Sequence, residues 1–107
     1  TFVETDAKAL AALKATVDAL GAADRATIVK TDAVKYAGGL AAESFDVAFA
    51  DPPYGKGFAR AIVDAFAAAP FAALLCVEHG RDDHLPELPD ARTRRYGDTF
   101  LTFVPAP

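Results

Sequence analysis

The chain has 107 residues, 52% of them hydrophobic, with one cysteine and a formal net charge of −4. That length supports one modest core, and the acidic balance argues against a module that holds nucleic acid by bulk charge. One cysteine allows no internal disulfide framework, and no apolar stretch reaches spanning length, so the chain is read as soluble and cytoplasmic.

Thr1-Phe2-Val3-Glu4 predicts a short strand ending in an acid. Asp6 is suited to cap a helix that places Leu10, Leu13, Val17 and Leu20 on one face and stops at Gly21. An acid at such a strand end bonds ribose hydroxyls in dinucleotide-binding folds, which makes Glu4 a candidate nucleoside ligand; a plain edge acid is the alternative. A second strand, Ala26 to Lys30, runs into Thr31-Asp32-Ala33 and a short helical stretch that Gly38-Gly39 ends. Asp32 repeats the pattern of an acid at a strand end, and it is equally suited to be a helix N-cap.

The most informative segment follows. Phe45 to Ala50 reads as a buried strand that breaks abruptly into Asp51-Pro52-Pro53-Tyr54. Two prolines lack N–H groups and fix φ, so they cannot extend the strand, and they hold Asp51 and Tyr54 in a defined relation at its carboxyl end. Open α/β sheets bind ligands there. The same four residues resemble the signature of methyltransferases that modify exocyclic amino groups of nucleobases. Such a nitrogen is a poor nucleophile because its lone pair is delocalised, and the resemblance implies that Asp51 and the carbonyl of Pro52 accept its two N–H groups while Tyr54 stacks on the base. A proline-punctuated turn is the ordinary reading of the same four residues.

Beyond Gly55 and Gly57, Phe58, Ile62 and Phe66 predict a helix ended by Pro70, and Ala73 to Val77 an apolar strand leading to Glu78-His79. Cys76 fits an inert core thiol. His79 either lines a substrate side or is a hydrogen-bonded structural histidine; His84, in the polar loop Arg81 to His84, reads as solvated, and that loop has no metal-ligand spacing. Arg92 to Tyr96, a Gly97-Asp98 turn and Thr99 to Val104 predict a terminal antiparallel hairpin. Lys56, Arg60, Arg92, Arg94 and Arg95 are the local basic exceptions; scattered solvated arginines explain them as well as backbone contacts do.

Asp51-Pro52-Pro53-Tyr54 resembles the signature of S-adenosylmethionine-dependent methyltransferases that modify exocyclic amino groups of nucleobases. With Phe2-Val3-Glu4 and Asp6, Thr31-Asp32-Ala33, Val77-Glu78 and Tyr96-Gly97-Asp98-Thr99, nearly the whole chain resembles the bacterial enzymes that methylate N2 of a guanine in small-subunit (16S) ribosomal RNA. The resemblance implies an α/β, Rossmann-like fold with a mostly parallel sheet and a C-terminal antiparallel hairpin. It implies S-adenosyl-L-methionine as cofactor, held by Glu4, Asp6, Asp32 and Ala33, and a catalytic set of Asp51, Pro52, Pro53 and Tyr54. The implied partner is 16S ribosomal RNA or the small ribosomal subunit. The motif is shared with N6-adenine methyltransferases, so adenine in DNA or RNA is the alternative target; protein-glutamine methylation is less favoured, since such enzymes generally carry Asn first.

The chain departs from that family at its start. The first strand and its glycine-rich loop have no counterpart before Thr1, so residues 1–107 look like a single, partial methyltransferase domain, a C-terminal fragment. The absent strand belongs between those ending at Glu4 and Asp51, so two unpaired strand edges are expected. Closing the gap, borrowing a strand in a homodimer, or an inactive remnant that only folds or self-associates are the outcomes this departure allows.

Overall fold

The computed structural model describes residues 1–107, which divide into two compact units, Thr1–Tyr36 and Ala37–Pro107. In the first, β1 (Phe2–Glu4) and β2 (Ile28–Lys30) form a two-stranded parallel sheet joined through α1 (Ala7–Ala19) and a short 3-10 turn (Ala23–Arg25). Asp6 caps α1 as its sequence predicts, its carboxylate accepting the Ala9 N–H at 2.8 Å. The helix closes with Gly21 at φ 64°, its N–H on Asp18 O and that of Ala22 on Val17 O. This is a Schellman ending, and Gly21 is there because a Cβ disfavours the left-handed turn.

Leu10 and Val17 are buried, but Leu20 is 72% exposed. The predicted apolar face thus ends one turn early, because Leu20 is the C-cap and lies past the last helical residue. α2 (Ala33–Gly38) follows β2, with Asp32 bonded to the Lys35 N–H at 2.8 Å.

The second unit is built on a four-stranded sheet in the order β3 (Phe45–Ala50), β4 (Ala72–His79), β6 (Thr99–Pro105), β5 (Arg92–Tyr96). Only the β3–β4 pairing is parallel; β4–β6 and β5–β6 are antiparallel. The expectation of a mostly parallel sheet is therefore corrected to a mixed one, since the terminal hairpin supplies half of this sheet's strands. The hairpin turns on Gly97-Asp98 as predicted, with positive φ at Gly97.

α3 (Phe58–Ala68) lies against β4 and buries Ala59, Ile62, Val63 and Phe66, whereas Phe58 is 37% exposed. Phe66 meets Phe71 edge-to-face at 5.2 Å, and Leu75, Val77 and Val104 complete the centre of the core. No helix is long and apolar enough to cross a membrane.

β3 is not the buried strand that its apolar residues suggest. It ends its sheet with one edge unpaired, and the register that sets Ala48 beside Leu75 and Ala50 beside Val77 turns Val47 and Phe49 to the other face. There they are 52% and 81% exposed. β1 likewise has only β2 beside it. β1 in the first unit and β3 in the second thus each have one unpaired edge.

Burial decides which aromatic substitutions matter. Phe66→Ala should cost about 3–5 kcal/mol in urea unfolding, while Phe49→Ser should stay within about 0.5 kcal/mol. Equal costs would show that the Val47–Phe49 face is covered in solution. Desolvation, and secondarily the Glu78 charge, push the Cys76 thiol above its ordinary value, so its stabilising protonated state is complete at neutral pH and is lost as pH rises through the folded value. A thiol-specific reagent at neutral pH should label Cys76 only as fast as the chain opens.

Candidate active site

The first unit gathers its acids at one end of a parallel pair. β1 and β2 run in register with Glu4 beside Lys30, and the Thr31 N–H donates to Glu4 O at 3.2 Å, so Glu4 and Asp32 both sit at the carboxyl ends of neighbouring strands. One oxygen of Glu4, Oε2, accepts the Thr5 N–H at 2.7 Å and the Asp6 N–H at 3.3 Å. Those bonds fix the carboxylate and leave Oε1 free to accept. Asp32 uses Oδ1 on the Lys35 N–H and keeps Oδ2 free, and Ala33 opens α2 with an N–H that has no intrahelical partner. Asp6 uses Oδ2 on its cap at the Ala9 N–H, as Asp32 uses Oδ1 at Lys35. Two oriented carboxylates with open oxygens match the hydroxyl and amino groups of a nucleoside, so these residues fit the nucleoside part of S-adenosylmethionine.

In the second unit, Asp51 leaves β3 exposed, followed by half-buried Pro52, exposed Pro53, and Tyr54 at 42% exposure. The motif loop is secured from outside itself. The Tyr54 hydroxyl donates to Thr99 Oγ1 at 3.3 Å, and its ring lies on Gly80, where a Cβ would come within 3.0 Å of Cδ2 and 3.2 Å of Cβ and Cγ. Just beyond, the Gly55 N–H donates to Asp83 Oδ1 at 3.0 Å, and the other oxygen of that carboxylate accepts the Gly80 N–H at 2.8 Å.

These contacts add a residue that the sequence reading missed. Asp83 is half-buried and joined to two backbone segments; the Gly-x-x-Asp spacing at a strand exit is the only local signal that could have drawn notice to it. His84 is exposed. His79 is buried and structural. Gly80 O can only accept, so Nδ1 carries the proton at 3.2 Å, and Nε2 accepts from Thr102 Oγ1 at 2.7 Å, which in turn accepts from Thr93 Oγ1 at 2.8 Å.

Of the basic residues, Arg60 is engaged by Asp64 at 3.6 Å, and Arg95 bonds Gly97 O at 2.8 Å while lying 5.8 Å from the Phe100 ring centre. Lys56, Arg92 and Arg94 are exposed and form no ion pair.

Around Tyr54 the strongest single influence is the Thr99 hydroxyl, which favours the phenolate. Desolvation and the neighbouring carboxylates of Glu78 and Asp51 together outweigh it, and the phenol moves above its ordinary value of 10.0. The neutral phenol therefore persists through the physiological range, and its contribution is lost only as pH rises through the folded value. With Tyr36 and Tyr96 changed to Phe, ultraviolet titration should place Tyr54 above 10.0. Glu78→Gln should lower it and Thr99→Ala raise it; insensitivity to both would contradict this environment.

Residues 1–105 match the family model described as "Conserved hypothetical protein 95". Among solved structures, a conserved hypothetical protein of Streptococcus pyogenes is 28% identical, with a TM-score of 0.76 over 94% of this chain and 67% of that one. A methylase candidate of Haemophilus influenzae is 19% identical, with a TM-score of 0.78 over 95% and 68%. A methyltransferase candidate of Escherichia coli is 20% identical, with a TM-score of 0.72 over 94% and 58%. The chain thus spans about two thirds of the first two proteins and less of the third. The last two likenesses establish a shared fold. No protein of curated function matches the chain. The match across 1–105 makes this chain a member of the family described as "Conserved hypothetical protein 95".

Proposed function

We propose that the chain carries the nucleoside and base sites of an S-adenosylmethionine-dependent methyltransferase acting on the N2 amine of a guanine in small-subunit ribosomal RNA. The observation that carries this reading is the secured Asp51-Pro52-Pro53-Tyr54 loop, with an exposed acid at a strand exit and an aromatic ring fixed by Gly80 and Thr99. The fold shared with methylase and methyltransferase candidates supports it.

Asp51 and Pro52 O accept the two amine hydrogens, which concentrates the nitrogen lone pair and aims it away from both acceptors. Tyr54 stacks on the extruded base. Glu4 and Asp32 would hold the nucleoside of the cofactor, whose sulfonium would supply the electrophilic methyl group and leave as the neutral thioether of S-adenosylhomocysteine. As the nitrogen gains its new bond it sheds one proton, which the Asp51 carboxylate is suited to receive. Exposed Lys56, Arg92 and Arg94 offer phosphate contacts on an otherwise acidic chain.

Asp51→Ala in the full-length protein should lower transfer to small-subunit RNA by roughly 100-fold or more while leaving cofactor affinity nearly unchanged. Glu4→Ala should weaken S-adenosylhomocysteine in calorimetry by about 1.5–3 kcal/mol through loss of charged hydrogen bonds. Undiminished turnover in the first variant, or undiminished binding in the second, removes that residue from its role.

A further inference from the structure

Asp83 is chemically unusual among the carboxylates of this unit. It lies in the loop after β4, and its two oxygens take N–H groups from segments 25 residues apart, Gly55 at 3.0 Å and Gly80 at 2.8 Å. Both donors flank Tyr54. Gly55 is the residue after it, and Gly80 is the floor on which its ring rests, so close that a methyl group would push the ring by a few tenths of an ångström. Charge-assisted bonds to backbone N–H groups are short and directional, and each oxygen here has one. Pro52 and Pro53 bring no N–H of their own to the motif, so the loop depends on such outside contacts.

We infer that Asp83 is a positioning residue that fixes the Tyr54 ring on Gly80 for stacking against the substrate base. It rests on the methyltransferase reading for its use, though not for its geometry. Asp83 touches no reacting atom. Its carboxylate sets the distance between the exits of β3 and β4, and Tyr54 inherits its place from that distance. The Thr99 hydroxyl then fixes the far end of the same ring, at 3.3 Å. An asparagine at position 83 keeps one acceptor oxygen but presents an amide to the second N–H, so one bond breaks without a large change of volume.

The test uses the full chain with Tyr36 and Tyr96 changed to Phe, so that Tyr54 is the only tyrosine and no tryptophan interferes. Asp83→Asn should reduce the near-ultraviolet dichroism of Tyr54 by half or more while the far-ultraviolet spectrum is retained. In the full-length protein the same variant should lower kcat about 10- to 100-fold with little change in KM for cofactor, as expected for a misplaced stacking group. Gly80→Ala displaces the ring by another route and should reproduce both changes if Asp83→Asn does not fold. A lowered Tm with an unchanged Tyr54 signal overturns the inference and leaves Asp83 a structural staple. Failure of the unsubstituted protein to methylate RNA would count against the function, while the Tyr54 spectrum would still decide the positioning role.

Discussion

A proline pair at a strand exit gives up the backbone donors with which a loop ordinarily secures itself, and the arrangement of the larger unit follows from that constraint. Pro52 and Pro53 stiffen the path, but stiffness alone does not fix its direction. Direction comes from β4, the parallel neighbour, whose exit holds Gly80 under the Tyr54 ring and whose following loop returns Asp83 to both segments. The hairpin adds Thr99 from a third strand. The parallel β3–β4 pair, the small residue at position 80 and the antiparallel hairpin are thus parts of one support.

Beneath that support, burial is unevenly distributed. β4 is central and buried on both faces, with Leu75, Cys76 and Val77 all nearly inaccessible. β3 is covered on the face that carries Ala48 and Ala50 and open on the face that carries Val47 and Phe49. On β3 the small residues Ala48 and Ala50 lie on the less exposed side and the large Val47 and Phe49 on the open side, while α3, against β4, brings Phe66 to the core. Asp51, leaving an edge strand, accordingly stays exposed to water.

Much of this was legible in the residues. Asp6 and Gly21 announce both ends of α1, Gly97-Asp98 announces the hairpin turn, and the acids at strand exits follow from where apolar runs stop. What local pattern could not supply was neighbourhood. The run Phe45 to Ala50 specifies a strand, but whether its faces are covered depends on elements distant in sequence. The same limit hid Asp83, whose bond to Gly55 spans 28 positions and leaves no periodic trace. His79 was legible only as a pair of alternatives until Thr102 and Gly80 claimed both of its ring nitrogens.

A site that receives two hydrogen bonds from an exocyclic amine, at Asp51 and Pro52, should fail when that amine is removed from the substrate. The most direct measurement is methyl incorporation by the full-length protein into small-subunit RNA prepared with guanine, compared with RNA in which inosine replaces guanine and so lacks that amine. The expected result is label on N2 in the first RNA and none in the second. Undiminished label in the inosine RNA, or label found on adenine N6, would contradict it.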